Sequence, residues 1–114
     1  MTDCLFCGIV AGEIPATVVS DEERVLAFAD IQPQAPTHVL VITKDHHRTA
    51  ADAAAADPAL LGELVAAAHR VAEKSGVAES GYRLVFNSGQ DAHQSVPHVH
   101  CHVLGGRDLT WPPG

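Results

Sequence analysis

Three histidines, His98, His100 and His102, recur at every second position of the chain, separated by Val99 and Cys101. In an extended strand successive side chains point to opposite faces, so this spacing puts all three imidazoles on one surface. The apolar residues between them, with Val103, then face a core. Imidazole has an unperturbed pKa of roughly 6.5 and exchanges protons near neutrality, so a one-sided row suits proton transfer, nucleophilic attack or metal binding. An exposed polar edge would be the ordinary alternative, but three of the eight histidines fall within five residues.

A metal held by the three alone is strained. Two neighbours of the row can share an ion, but the third lies another ~6.6 Å along a strand rising ~3.3 Å per residue, whereas tetrahedral zinc wants Zn–N bonds of ~2.0–2.1 Å. Phosphoryl or acyl transfer, with a central nucleophile flanked by acid and base partners, fits better. Just upstream, Asn87, Gly89, Gln94 and Ser95 supply short polar groups and a turn's amides, which suit phosphate oxygens. The same Asn-Ser-Gly run would also serve any hairpin. A second cluster, Cys4-x-x-Cys7, reads as half a zinc site, a redox pair or two buried thiols.

The elements that must carry these groups follow from periodicity. Asp3 is placed to cap a short helix bearing Leu5, Phe6, Ile9 and Val10, with Gly12 as its stop. Strands are predicted over 17–19, 24–28, 38–42, 82–86 and the histidine row, with a proline-rich loop at 30–36. Asp57 and Pro58 open one long helix on which Leu61, Leu64, Val65, Ala68, Val71 and Ala72 recur at helical spacing, and Gly76 suits its end. The segment 51–56 has helix propensity but shows no capped start. The sum is an α+β domain over residues 1–114, a mostly antiparallel five-stranded sheet with one long and one short helix.

With 114 residues and a formal charge of −7, the chain argues against non-specific nucleic-acid or anionic-membrane binding. It contains no apolar run of the ~20 residues that span a bilayer, and Met1-Thr2-Asp3-Cys4 lacks signal-peptide features. Three cysteines do not suggest a disulfide framework, so a reducing, cytoplasmic setting is expected.

The stretch from Gln94 to Leu104 resembles the signature of the histidine-triad (HIT) superfamily. Further matches run through almost the whole chain: Phe6 to Pro15, 26–31, Pro33-Gln34-Ala35-Pro36-Thr37-His38, and Gly105-Gly106-Arg107 with Trp111-Pro112-Pro113-Gly114. The last two are similar to the Hint branch in particular. The resemblance implies a homodimer whose sheets join into one, with a purine-nucleotide pocket in each subunit. By similarity Phe6, Ile9, Phe28 and Ile31 line the base and sugar pocket, where physics alone would read them as core. Asp30 takes the ribose hydroxyls, Asn87, Ser95, His100 and His102 meet the phosphate, and Gln94 counts among the nucleotide-binding residues. His100 matches the nucleophile, forming a nucleotidyl-histidine that water hydrolyses; His38 and His98 match supporting histidines. Trp111 is implied to reach a neighbouring pocket.

Some bacterial members with this Cys-x-x-Cys hold a structural zinc, and the matching ligands are Cys4, Cys7, His46 and His98. Catalysis in this reading requires no cofactor. The implied substrates are purine nucleoside 5′-phosphoramidates or aminoacyl-adenylate-like nucleotides. The alternatives are a dinucleoside-polyphosphate hydrolase of the same superfamily and a nucleotide-binding regulatory protein with little turnover. The related hexose-phosphate nucleotidylyltransferases replace the third histidine, which is present here as His102. Two departures stand out. Pro97 lies where the branch commonly has an aromatic residue, which puts it at a strand start or edge. His93 stands where glycine is common, and its bulk alters leaving-group access. His47, His69 and Cys101 read as structural or surface residues.

Overall fold

A computed structural model describes residues 4–114. Three helices and five strands follow in the order α1 (Leu5–Val10), β1 (Val18–Asp21), β2 (Val25–Ala29), β3 (Thr37–Thr43), α2 (Ala50–Ala56), α3 (Pro58–Lys74), β4 (Tyr82–Phe86) and β5 (His100–Gly105). The strands form one sheet in the order β1-β2-β3-β5-β4, with every neighbouring pair antiparallel. The long helix begins where expected: the Asp57 side chain accepts from Leu60 N–H, and Pro58 occupies the first turn, where no amide partner is needed. It ends at Ser75, with Gly76 in the left-handed region at φ 78°.

Period-two alternation divides the sheet into two faces. Val25, Ala27, Val39, Val41, Cys101 and Val103 pack against Leu60, Leu64, Ala68 and Val71 of α3. Leu26, Phe28, Leu40 and Ile42 point the other way and form a second core with Phe6 of α1. In the β3–β5 register, Ile42 opposes His100, Leu40 opposes His102 and His38 opposes Leu104. His38, His100 and His102 therefore share the face opposite α3, and His38 is the diagonal neighbour of His102.

Three sequence expectations need correction or reassignment. The 51–56 segment is a helix, α2, so the fold has two short helices beside the long one; Thr49 supplies the missing cap, its side chain accepting from Asp52 N–H at 3.1 Å. The expected Asp3 cap lies outside the described residues, and the N-cap of α1 is Cys4, whose sulfur accepts from Cys7 N–H. The histidine strand begins at His100 rather than His98. Pro97 has no N–H to donate, His98 N–H turns back to Val96 O at 2.8 Å, and Val99 N–H goes to His47 O at 2.7 Å. His98 thus enters the site from the bend before β5.

Candidate functional site: a histidine cluster between two cavities

Hydrogen bonds fix which nitrogen of His100, His38 and His102 is available. His100 is 4% exposed, and its Nδ1–H donates to His98 O at 2.7 Å, because a carbonyl can only accept. In the neutral ring Nε2 then carries the free lone pair. His38 Nδ1 accepts from Gln34 N–H at 3.0 Å, so its proton resides on Nε2. That N–H faces His102 Nδ1 at 2.9 Å and Asp30 Oδ2 at 3.3 Å. His102 in turn holds its proton on Nε2, a buried atom with no hydrogen-bond partner among the described residues. Burial, with the nearby His100 and His38, pushes the His102 imidazole down to about 4. Burial also lowers His38, against the pull of Asp30. The site presents a nucleophilic nitrogen beside a neutral, unsatisfied N–H donor.

Phe6 ties the triad to the second core. Its ring meets Phe28 at 5.4 Å, His98 at 5.8 Å and His100 at 5.1 Å, each edge-to-face. Phe6, Ile9, Phe28 and Ile31, the residues assigned to a base and sugar pocket, line one cavity of about 160 Å³ with Asp30 at its rim. Phe6 and Phe28 form its buried floor, whereas Ile31 is 95% exposed. Asp30 is oriented by Gln32 N–H, which donates to Oδ1 at 2.8 Å.

A second cavity of about 430 Å³ is lined by Arg48, Gly89, Gln90, His93, Gln94, Ser95 and Pro97. Gln94 braces it: its Nε2 donates to Arg48 O at 2.6 Å and Val96 O at 3.1 Å, and its Oε1 accepts from Gly89 N–H at 3.0 Å. The Gln94 amide is therefore committed to the loop. Among the described residues, Asn87 and Ser95 have no side-chain hydrogen bond, which leaves both groups available. Gly89 takes φ 89°, a conformation suited to glycine, and His93 takes φ 61°. A glycine at position 93 would hold this conformation without the cost that a side chain brings. Arg48 is invisible to the sequence reading, because an isolated arginine after two histidines carries no local signal. A larger cavity, about 640 Å³, lies under the C-terminal segment. The Arg83 guanidinium there donates to Leu109 O and Thr110 O, while Trp111 is 79% exposed with Arg83 5.9 Å from its ring centroid.

Cys4, Cys7, His46 and His98 converge at the start of α1, all four ligand atoms lying within 4.8 Å of one another. Tetrahedral zinc, with bonds of about 2.3 Å to sulfur and about 2.0 Å to nitrogen, separates its ligands by about 3.5 Å. The sulfur–nitrogen distances are 3.4 Å for Cys4–His98, 3.3 Å for Cys7–His46 and 3.6 Å for Cys7–His98. His98 Nε2–H donates to Thr43 O at 2.7 Å, which turns Nδ1 toward the sulfurs as a metal ligand requires. The donor set fits zinc in number, type and spacing. Cys101 lies on the opposite face, where burial pushes its thiol up to about 12 and leaves it unreactive. The His47 carbonyl accepts from Val99 N–H, and His69 meets the Tyr82 hydroxyl on the outer surface.

An antiparallel sheet backed by one long helix, with His38, His100 and His102 on the opposite face and His98 at its edge, defines a histidine-triad domain. The HIT domain family model matches residues 11–109, and the chain belongs to that family. It is 49% identical over 112 residues to a 14 kDa zinc-binding protein of Zea mays, covering 96% of this chain and 87% of that one. It is 42% identical over 107 residues to a purine nucleoside phosphoramidase of Escherichia coli K12, covering 94% and 90%. The crystal structure of a HIT family hydrolase from Legionella pneumophila superposes with a TM-score of 0.94 at 52% identity, covering 98% of this chain and all of that one.

Proposed function

We propose that the chain is a nucleotide hydrolase acting on purine nucleoside 5′-phosphoramidates or aminoacyl-adenylate-like nucleotides through a covalent nucleotidyl-histidine on His100. The observation that carries this reading is the His100 tautomer: Nδ1–H is tied to His98 O, and Nε2 is left to attack. The nucleoside occupies the cavity of Phe6, Ile9, Phe28 and Ile31, with the ribose hydroxyls at Asp30. The 5′-phosphate meets Asn87, Ser95 and the unsatisfied His102 Nε2–H.

Nε2 attacks phosphorus and forms the N–P bond; the bond to the leaving amine breaks, and the departing nitrogen takes a proton from solvent. The nucleotidylated imidazole is cationic, and the Nδ1–H bond to His98 O at 2.7 Å stabilises that charge. Water then attacks phosphorus and gives one proton back to solvent, the N–P bond breaks with its electron pair returning to His100 Nε2, and a nucleoside 5′-monophosphate leaves with the hydroxyl. Dividing hydrolysis into two displacements replaces one hard step with two easier ones. His38 keeps His102 in its donor tautomer.

Cys4, Cys7, His46 and His98 would hold a structural zinc that ties α1 to the bend before β5, and no step above uses it. The chain acts as a homodimer in this reading, extending the sheet across the outer edge of β4, with Trp111 reaching toward the neighbouring pocket. No helix among the described residues is long and apolar enough to cross a membrane. The test is turnover of an adenosine 5′-phosphoramidate by wild type and His100→Ala. A loss of about a hundredfold or more is expected for removal of a nucleophile; unchanged turnover would overturn the assignment.

A further inference from the structure

The chain carries seven lysines and arginines against fourteen acidic residues. Six of those cations are engaged. Arg24, Lys44 and Arg70 pair with carboxylates, while Lys74, Arg83 and Arg107 donate to backbone carbonyls. Among the described residues only Arg48 has a cationic side chain with neither kind of partner. An unpaired guanidinium is unexpected in a chain of net charge −7, where carboxylates are plentiful.

Its position gives it a use. Arg48 lines the second cavity with the phosphate-side Ser95, Gln94 and His93, and none of these four lines the nucleoside cavity. The backbone under it is held firmly: Arg48 O accepts from Gln94 Nε2 at 2.6 Å, and the adjacent His47 O accepts from Val99 N–H at 2.7 Å. Both bonds tie it to the segment that leads into the nucleophile strand. They use main-chain atoms, so the guanidinium fork remains for a ligand. Guanidinium matches a carboxylate, sulfate or phosphate with two parallel N–H donors.

We propose that Arg48 is a specificity-determining residue that selects nucleotides whose leaving group carries its own oxyanion. Resting on the hydrolase reading above, this narrows the substrate class to those linked through the 5′-phosphate to a carboxylate-bearing amine or a further acidic group. Neutral amines would occupy the same cavity without the charge-assisted contact. The acidic surface elsewhere repels such substrates, so a local cation is what admits them.

Two arms test this in the full-length protein. In the first, kcat/KM is measured for the adenosine 5′-phosphoramidates of tryptophan and of tryptophan amide, which differ in the carboxylate. In the second, calorimetry gives the Kd of ADP relative to AMP, the β-phosphate standing where the leaving group would lie; this arm needs no turnover. Wild type should favour the charged member, and Arg48→Ala should shrink that preference about fivefold to tenfold, the scale of a partly exposed charge-assisted contact. Arg48→Lys should keep part of the preference, Arg48→Glu should reverse it, and the wild-type preference should fade with salt. A change in the first arm alone assigns a carboxylate-bearing leaving group, in the second alone a phosphoanhydride, and in both a general oxyanion. Preferences in both arms that survive Arg48→Ala in a variant of unchanged Tm overturn the proposal. Wild type that neither binds AMP nor turns over either phosphoramidate overturns the hydrolase reading, and this inference falls with it.

Discussion

His38 Nε2 donates to His102 Nδ1 across 2.9 Å, and the direction of that bond is set by Gln34, whose N–H occupies His38 Nδ1 at 3.0 Å. One backbone amide in the loop before β3 thereby decides where His102 carries its proton on the neighbouring strand β5. The result is a buried Nε2–H with no hydrogen-bond partner among the described residues, on the face where His100 offers its lone pair.

The same relationship predicts how stability responds to acid. The His102 imidazole is held down to about 4, and His38 is lowered as well, both by burial. In the unfolded chain a histidine takes its proton near 6.5. The unfolded state therefore binds protons first as pH falls, and folding stability drops with it. The contribution of His102 is full above about pH 6.5 and drains away toward its folded value, amounting to about 2–3 kcal/mol by pH 4.5. Denaturation midpoints between pH 8 and 4.5 should fall more steeply for wild type than for His102→Gln, which cannot titrate. Parallel curves would show that burial does not exclude the proton.

Phe6 is the point where helix α1, the nucleoside cavity and the triad meet. A helix of six residues has little stability of its own, so its place depends on this ring against Phe28, His98 and His100. Phe6→Ala should cost about 3–5 kcal/mol by opening a cavity, and Phe6→Leu should cost distinctly less. In Phe6→Leu, nucleotide affinity should weaken more than the maximal rate, because the ring bounds the nucleoside cavity and bonds to no reacting atom. An unchanged melting temperature in Phe6→Ala would contradict this packing.

What could be seen in the sequence follows from which interactions are local. Alternation placed His100 and His102 on one face because strand geometry is a period-two rule, and Asp57-Pro58 announced α3 because capping needs only adjacent residues. Helix α2 was harder to see. Its start depends on Thr49 reaching Asp52 N–H, a signal easily lost beside an alanine run without apolar periodicity. His98 left the strand for reasons outside its own segment, Pro97 before it and the His47 carbonyl that takes Val99 N–H. Arg48 could not be found locally at all, since being unpaired depends on where every acidic residue of the fold ends.

Zinc should couple to stability at the four-ligand cluster. Cys4 and Cys7 begin α1, while His46 and His98 come from two distant loops, so an ion there cross-links three segments. Metal analysis should find about one zinc per chain. Zinc restored to chelator-treated protein should add about 2.7 kcal/mol at a free concentration a hundredfold above Kd. Cys7→Ser should abolish most of that increment. Protein purified without metal, and indifferent in Tm to added zinc, would remove the cluster from consideration as a metal centre.

His93 provides the test of the phosphate-side loop. It holds φ 61° with its side chain exposed and its N–H donating to Gln90 O at 3.0 Å. A left-handed conformation costs an ordinary L-residue roughly 1–2 kcal/mol, and glycine avoids that cost but gives back about 0.4–1 kcal/mol in unfolded-chain entropy. His93→Gly should therefore hold or raise stability, by up to about 1 kcal/mol, where most glycine substitutions in ordered loops lower it. The backbone bond to Gln90 survives because it involves no side chain. Removing the imidazole from the wall of the 430 Å³ cavity should also speed turnover of phosphoramidates with bulky amines relative to small ones. A loss of more than about 1 kcal/mol would mean that the left-handed turn at His93 is not strained. An unchanged bulky-to-small ratio of kcat/KM would mean that the leaving group departs by another path.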